Sequence, residues 1–594
     1  MSRSRTAHPD RGGRRSPALL VAVLALAALV AAMVAAVSLD ARSRGEGGEH
    51  GLGTGPDVVL LAGPLAHQEL SWEECTFDEG LAAPLQGADL SNVECATVQV
   101  PRDWHDPHPE STWDLRVSRA HNVDPADPRY GTTIFAHPGG PYTSGLSFAS
   151  TVQAQTPELR PTTNYISFDQ RGLGQSSHAP CRYEHDPSEG DLAHVRAIGE
   201  ACSKDPDVAT MTTEQTAYDM DLLRHLLGLE TVTYMGYSYG TWLGTWYGAL
   251  FGENIERMLL DSAVDGTAES IQTLYDAAHE GRDRQFRLHL MNWMARQDET
   301  YALGTDPAAI WERYFSATAS PEAELMARYA WNASGAIVAF SNSGAYPLAA
   351  ELVAALIAKG EASAGDLDAE ESAARVLTSL RSLPEEQRGA ALTQLEKLAT
   401  APDTSPGTVE ATYDQVIDFT KCTDGRWVQG EEHWEEFHRE TSAVAPFTAQ
   451  LGLLETPQVC AFWPTDVTRP EISEDFPETL VLQSELDSMT PFEQGRAAGT
   501  GLPNTSLIAV DNDSAHGIFP YGTEEVDRPV LDFLRGGERP ARTIIAAGKP
   551  MPLEERTYES WSPLDGSADH EGAIPRFTDP SEPARTPELA DAAG

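Results

Sequence analysis

The sequence predicts an α/β class: a mostly parallel central sheet flanked by helices, with an inserted and mainly helical cap domain. Three observations predict it. Short apolar runs at 132–136, 165–168, 232–235 and 258–260 alternate with helix-like stretches, as in a sheet built from crossovers. The pentapeptide Gly236-Tyr237-Ser238-Tyr239-Gly240 directly follows one of these runs, at a strand-to-helix junction. Residues 480–484 and 505–510 read as further buried strands, the first followed by Asp487 and the second by His516.

In chain order, Arg3, Arg5, Arg11, Arg14 and Arg15 precede an uncharged apolar run at 17–37. A cationic start before such a run predicts export, with residues 1–40 acting as a signal or an N-terminal membrane anchor. The run is long enough to span a bilayer, and small residues near Ala36 and Ser38 permit cleavage. The basic end of such a segment stays in the cytoplasm, so the rest of the chain is expected outside it. Residues 41–70 read as a linker. A first core part is expected at 71–265, opening with strand-like runs at 95–100 and 113–118. Its helix over 212–227 has hydroxyl residues before it and Gly228 after it. From 266 to 475, Ala-, Leu- and Glu-rich segments without clear strands predict the helical cap. The second core part, 476–536, resumes at Leu480, and a C-terminal extension, 537–594, is expected to be largely irregular or disordered.

A G-x-S-x-G at the end of a strand is the nucleophile elbow of the α/β-hydrolase fold, with Ser238 on a strained turn. Ordinary Gly-rich turns also contain serine, and the chain has 48 glycines, so context decides. The fold orders its parts as oxyanion hole, serine, acid and histidine. Upstream, His137-Pro138-Gly139-Gly140-Pro141 ends the strand at 132–136 in a loop. The hole then takes one backbone N–H from Gly140 and one from Tyr239. Downstream, Asp487 is expected to orient the imidazole of His516, the proton carrier for Ser238. Rival acids are Glu485, Asp511, Asp513, Asp261 and Asp265, most of which suit turns or helix caps. His433 and His438, in an acidic and Trp-rich stretch, read as surface or packing residues.

Further segments carry a family resemblance. They are His137 to Pro141 with Ser144-Gly145, Asp169-Gln170-Arg171-Gly172-Leu173-Gly174-Gln175-Ser176, and Met211 to Thr213 through Asp219 to Asp221. Gly236 to Gly240, Cys460-Ala461-Phe462-Trp463-Pro464 and Asp487 to Pro491 complete the set. In this order they resemble the tripeptidyl-aminopeptidase branch of the proline-iminopeptidase-like serine peptidases, secreted α/β-hydrolases of actinobacteria. The resemblance spans roughly 72–536; Tyr142-Thr143 replaces glycines usual in the family's oxyanion loop. It implies a triad of Ser238, Asp487 and His516, no metal or organic cofactor, and a cap that reads a free peptide N-terminus. Lys421-Cys422-Thr423-Asp424-Gly425 is similar to a cysteine-plus-acid stretch of the family's cap, which makes Asp424 a candidate partner for the substrate ammonium. Asp169 and Arg171 are expected to lock loops around the site.

Six cysteines fall as three sequence-local couples, Cys75 with Cys95, Cys181 with Cys202, and Cys422 with Cys460. No Cys/His spacing suggests zinc, and disulfides suit an exported chain. The net charge of −48, from 42 basic and 90 acidic residues, argues against nucleic acid or an anionic membrane surface as partner, membrane attachment being left to residues 17–37. A monomer is expected.

Two enzymatic readings remain, since triad chemistry alone does not separate them. The first is an extracytoplasmic serine exopeptidase that removes short peptides, tripeptides by resemblance, from free N-termini. The second is a cell-envelope carboxylesterase or lipase with the same triad. An inactive binding protein on a hydrolase scaffold is disfavoured because every triad residue type is present.

Overall fold

The central parallel strands of this chain are largely apolar on both faces, and the fold buries them on both. Strands β4 (Thr132–His137), β5 (Thr163–Phe168), β7 (Val232–Tyr237), β8 (Ile255–Asp261), β10 (Thr479–Ser484), β11 (Thr505–Asp511) and β12 (Ile544–Ala547) run parallel to one another. An antiparallel lead-in of β1 (Glu73–Glu74), β2 (Val93–Pro101) and β3 (Thr112–Ala120) completes a ten-stranded sheet in the order β1-β2-β3-β5-β4-β7-β8-β10-β11-β12. Every residue of β5 and β10 is buried, as helix-covered parallel strands require. The structure, a computed structural model, describes residues 56–77, 91–363, 407–454, 458–465, 467, 469–541 and 543–557. The expected export segment with its apolar run at 17–37, linker residues 41–55 and tail residues 558–594 lie outside them.

One face of the sheet carries helices α1 (Thr213–Leu226) and α2 (Tyr239–Phe251). Thr212 starts α1 by accepting from the Gln215 N–H, and Gly228 follows its end. The D-x-R-G segment is anchored on this face. Arg171, with no solvent exposure, pairs with Asp219 of α1 at 2.8 and 2.6 Å and donates to the Pro101, Arg102 and Thr210 carbonyls. A buried guanidinium of this kind is tolerable only with such a full set of acceptors.

Between β8 and β10 the chain leaves the sheet and builds helices around a second apolar core containing Phe286, Trp293, Trp331 and Phe447. Helix α3 (Gln272–Gln285) leads into it. Helices Pro307–Ala317, Pro321–Ala333 and Tyr346–Ser363 follow, then α4 (Val416–Thr423) and α5 (Glu431–Val444). Contrary to the strand-free expectation, this region holds β9 (Val409–Tyr413), antiparallel to β6 (Cys181–His185) in a separate two-stranded sheet. Both strands are short and largely polar, and their pairing joins residues far apart in sequence, so neither advertised itself.

Two further boundaries differ from expectation. Residues Val58–Ala62 form a helix capped by Asp57 and pack Val58, Ala62 and Leu65 into the core, so 57–70 is not a free linker. The extension beyond 537 supplies β12, and Pro552 and Glu554 bond to Trp293 and Arg296 of the cap core. Three disulfides join Cys75–Cys95, Cys181–Cys202 and Cys422–Cys460. No helix among the described residues is long and apolar enough to cross a membrane.

Candidate active site

The sequence after β7 leaves the backbone little choice. Ser238 sits at φ 55°, ψ −126°, a strained conformation for a residue with a side chain, and α2 starts at the next residue. The turn is tight enough that a Cβ on Gly236 would lie 2.4 Å from the Gly240 carbonyl oxygen, so only glycine fits there. Trp242, Leu243, Trp246 and Tyr247 bury the helix and hold the elbow rigid. The Ser238 N–H donates to the Asp261 carbonyl of β8 at 3.0 Å.

The loop after β4 lies against this elbow. Gly139 and Gly140 have φ of 99° and 107°; a Cβ on Gly139 would lie 2.9 Å from Ser238 Cβ and 2.5 Å from the Tyr237 carbonyl oxygen. His137 Nδ1 accepts from the Gly139 N–H at 3.1 Å, which places the ring proton on Nε2, facing Gln170 Oε1. Burial pushes the His137 pKa down to about 4, so the ring stays neutral. Further along, the Asp169 carboxylate accepts from Ser144 Oγ (2.6 Å), Gly145 N (2.9 Å) and Gln175 N (2.8 Å), locking the loop to the end of β5. Among the described residues the N–H groups of Gly140 and Tyr239 have no protein acceptor, which leaves both donors for a ligand. Tyr142, one of the departures from the family pattern, is exposed beside them.

The loops after β10 and β11 bring Asp487 and His516 together. His516 Nδ1 lies 3.0 and 2.9 Å from the two carboxylate oxygens of Asp487. Asp487 also accepts from Met489 N, Thr490 N and Thr490 Oγ1, at 2.8, 3.0 and 2.9 Å, so its orientation is set by its own turn. Burial opposes an imidazolium at His516, but the Asp487 charge and hydrogen bond, with a smaller contribution from Asp261, outweigh it and hold the pKa above 6.5. Among the described residues neither Nε2 of His516 nor Oγ of Ser238 has a hydrogen-bond partner; such contacts commonly tighten only with substrate present.

The rival acids have other partners. Glu485 is buried and accepts from Asn512 N at 2.9 Å, and Asp513 accepts from Tyr521 Oη and Ala515 N. Asp265 caps the turn at Thr267. His433 and His438 lie on α5 with exposed side chains.

Asp424 needs correction as an ammonium partner. It ends α4 with no solvent exposure, and its carboxylate is already taken by Thr213 N (3.3 Å), Thr213 Oγ1 and Trp242 Nε1 (3.2 Å). Burial raises its pKa to about 7. It ties the cap to α1 and α2, with both carboxylate oxygens engaged by their residues. Helix α3 lies within the expected helical cap, but none of its residues stood out in the sequence; it passes over the site, where a Cβ on Gly281 would meet Pro491 and the Ser488 carbonyl, and the charge of Arg282 acts on His516. On this helix Asp276 has one oxygen bonded to Gln272 Nε2 (3.0 Å); among the described residues its other, buried oxygen has no partner, and neither nitrogen of the buried His279, three residues on, is bonded. Two polar side chains one turn apart in an Ala-containing helix were the available signal.

Residues 132–339 match the family model described as alpha/beta hydrolase fold, and residues 445–545 match that of TAP-like proteins. The chain is 28% identical over 526 residues to the tripeptidyl aminopeptidase of Streptomyces coelicolor, covering 83% of this chain and 89% of that protein. It is 25% identical to the serine protease Hip1 of Mycobacterium tuberculosis, covering 81% and 91% of the two chains. It is also 26% identical to the carboxylesterase B of the same organism, covering 82% and 91%.

Proposed function

We propose that this chain, a member of the α/β-hydrolase superfamily with TAP-like sequence in its second half, is a serine exopeptidase releasing short peptides, tripeptides in the first instance, from free N-termini. The observation that carries the peptidase reading is the similarity over 83% of the chain to a tripeptidyl aminopeptidase. In the mechanism we assign, Ser238 Oγ attacks the scissile carbonyl while His516 Nε2 takes its proton. Asp487 holds the Nδ1 proton and stabilises the imidazolium. The oxyanion is received by the N–H groups of Gly140 and Tyr239, each worth about 3–4 kcal/mol in the transition state. Collapse breaks the C–N bond as the imidazolium protonates the leaving amine. A water deprotonated by His516 then releases the acyl group from Ser238. No metal or organic cofactor enters this sequence.

A free N-terminus needs an acceptor, because a buried ammonium without one is strongly unfavourable. We assign that task to Asp276 rather than Asp424: its unpartnered oxygen is buried on the helix over the triad, and burial raises its pKa to about 6, which a cation would reverse. Three disulfides support an oxidising, extracytoplasmic location, with export through residues 1–40 and retention or release at 17–37. A monomer completes the proposal.

Chromogenic tripeptide anilides with free and acetylated N-termini, beside a p-nitrophenyl ester, test it. Ser238-dependent cleavage of the free peptides alone is expected, with Asp276→Asn raising KM for them and leaving the ester unchanged. Ester turnover with neither peptide cut refutes the peptidase reading. It would favour the carboxylesterase alternative, which the similarity to carboxylesterase B supports.

A further inference from the structure

Three segments carrying the proposed triad converge on two consecutive residues at the end of β8. The Asp261 carbonyl takes the Ser238 N–H at 3.0 Å. The next N–H, of Ser262, donates to the Leu482 carbonyl on β10, the strand that leads to Asp487, at 2.9 Å. The side chains reach the histidine loop. Ser262 Oγ accepts from Gly517 N at 2.8 Å, and the Asp261 carboxylate accepts from Ile518 N at 2.9 and 3.0 Å and from Phe519 N at 2.7 Å. Tyr237 Oη, next to the nucleophile, donates to the Phe519 carbonyl at 2.7 Å. Both residues of the pair have no solvent exposure, and Ser262 stands at φ 55°, a left-handed conformation that costs a serine strain. Strain at a junction of three functional segments is the pattern expected of a positioning element.

We propose that Asp261 and Ser262 are positioning residues for the reaction: they fix the height of Ser238 through the backbone and hold the His516 loop in register with it through their side chains. Asp261 touches no reacting atom. A carboxylate suits the task because it accepts two adjacent N–H groups from one loop, whereas an amide presents a single oxygen and an opposing NH2. The inference rests on Ser238 and His516 having the roles given above.

The charges facing His516 are Asp487 from the β10 loop, Asp261 from β8 and Arg282 from α3. Asp261 favours the imidazolium, so its neutralisation lowers the pH at which the base becomes available. The experiment measures labelling of Ser238 by a fluorophosphonate probe across pH in the wild type, Asp261→Asn and Ser262→Ala, with thermal unfolding of each. Such a probe needs no knowledge of the natural substrate. For Asp261→Asn, labelling slows on the order of 10²-fold and its pH midpoint moves down, the cost of a misplaced reacting pair. Ser262→Ala, which removes the acceptor of Gly517 N and the hydroxyl that donates to Asp261 Oδ1 at 3.1 Å, slows labelling several-fold and serves alone if Asp261→Asn does not fold. Unchanged rates and midpoints in folded variants overturn the inference, as does a loss of stability with no kinetic effect. A wild type that Ser238 labelling never reaches overturns the functional reading itself.

Discussion

Replacement of Asp487 by asparagine tests the proposed acid most severely. The carboxylate receives His516 Nδ1, Met489 N, Thr490 N and Thr490 Oγ1, all within 3.0 Å. Asparagine keeps one oxygen and turns an NH2 toward groups that are themselves donors. If the oxygen stays on the turn, the NH2 meets His516 and forces the opposite tautomer, with the proton on Nε2 where the base should accept. If it stays on His516, a buried N–H of the turn loses its acceptor, at about 1–3 kcal/mol. The imidazolium also loses the charge that does most to stabilise it. A wrong tautomer costs about 10⁴ in kcat, or about 5.5 kcal/mol of transition-state stabilisation. The expected result for Asp487→Asn is therefore a kcat lower by about 10³–10⁴, a KM within about threefold, and a base titrating at lower pH. The assay is kcat and KM against pH with a tripeptide anilide, Glu485→Gln serving as the control. Retention of more than about a tenth of kcat by Asp487→Asn, or a larger loss in Glu485→Gln, would refute the assignment of Asp487.

Gly139→Ala places a Cβ 2.5 Å from the Tyr237 carbonyl oxygen and 2.9 Å from Ser238 Cβ, both rigid parts of the elbow. Fluorophosphonate labelling is expected to fall by about 10² with the circular dichroism spectrum retained; labelling at the wild-type rate would show that the loop does not press on the nucleophile. The Cys422–Cys460 disulfide closes a loop with a sequence separation of 38, so Cys422→Ser with Cys460→Ser should lower unfolding stability by about 4 kcal/mol in chain-entropy terms, read by urea titration. Asp424, raised to about 7 by burial, binds a proton in the folded state that the unfolded chain has already released above about pH 4. Between those values folded Asp424 holds more protons than unfolded, so its contribution to stability falls as pH rises, by up to about 1.4 kcal/mol per pH unit. Urea midpoints at pH 5 and pH 7 should differ less in Asp424→Asn than in the wild type, and an equal difference would remove Asp424 as the cause.

Features that depend on near neighbours were legible in the order of residues alone. The alternation of apolar strands with helices, the Gly-x-Ser-x-Gly turn and the glycine pair before Pro141 are local patterns, because strand burial and left-handed turns constrain residue types at fixed short spacing. The three cysteine couples were legible for a related reason, each closing a loop within its own stretch of chain. Which acid meets His516 follows from the folded loops. Glu485 and Asp487 stand two residues apart on one loop, and the direction in which that loop turns, not the residue type, puts one against Asn512 and the other against the imidazole. Likewise a lone acid beside Cys422 reads as available until Thr213 and Trp242, more than 180 positions upstream, close over it. Strands β9 and β12 were invisible because each is short and defined by a partner from another part of the chain. The Asp261–Ser262 junction belongs to the same class: its meaning lies in hydrogen bonds to residues 238, 482 and 517–519, and such long-range pairings are set by packing of the whole sheet rather than by any window of sequence.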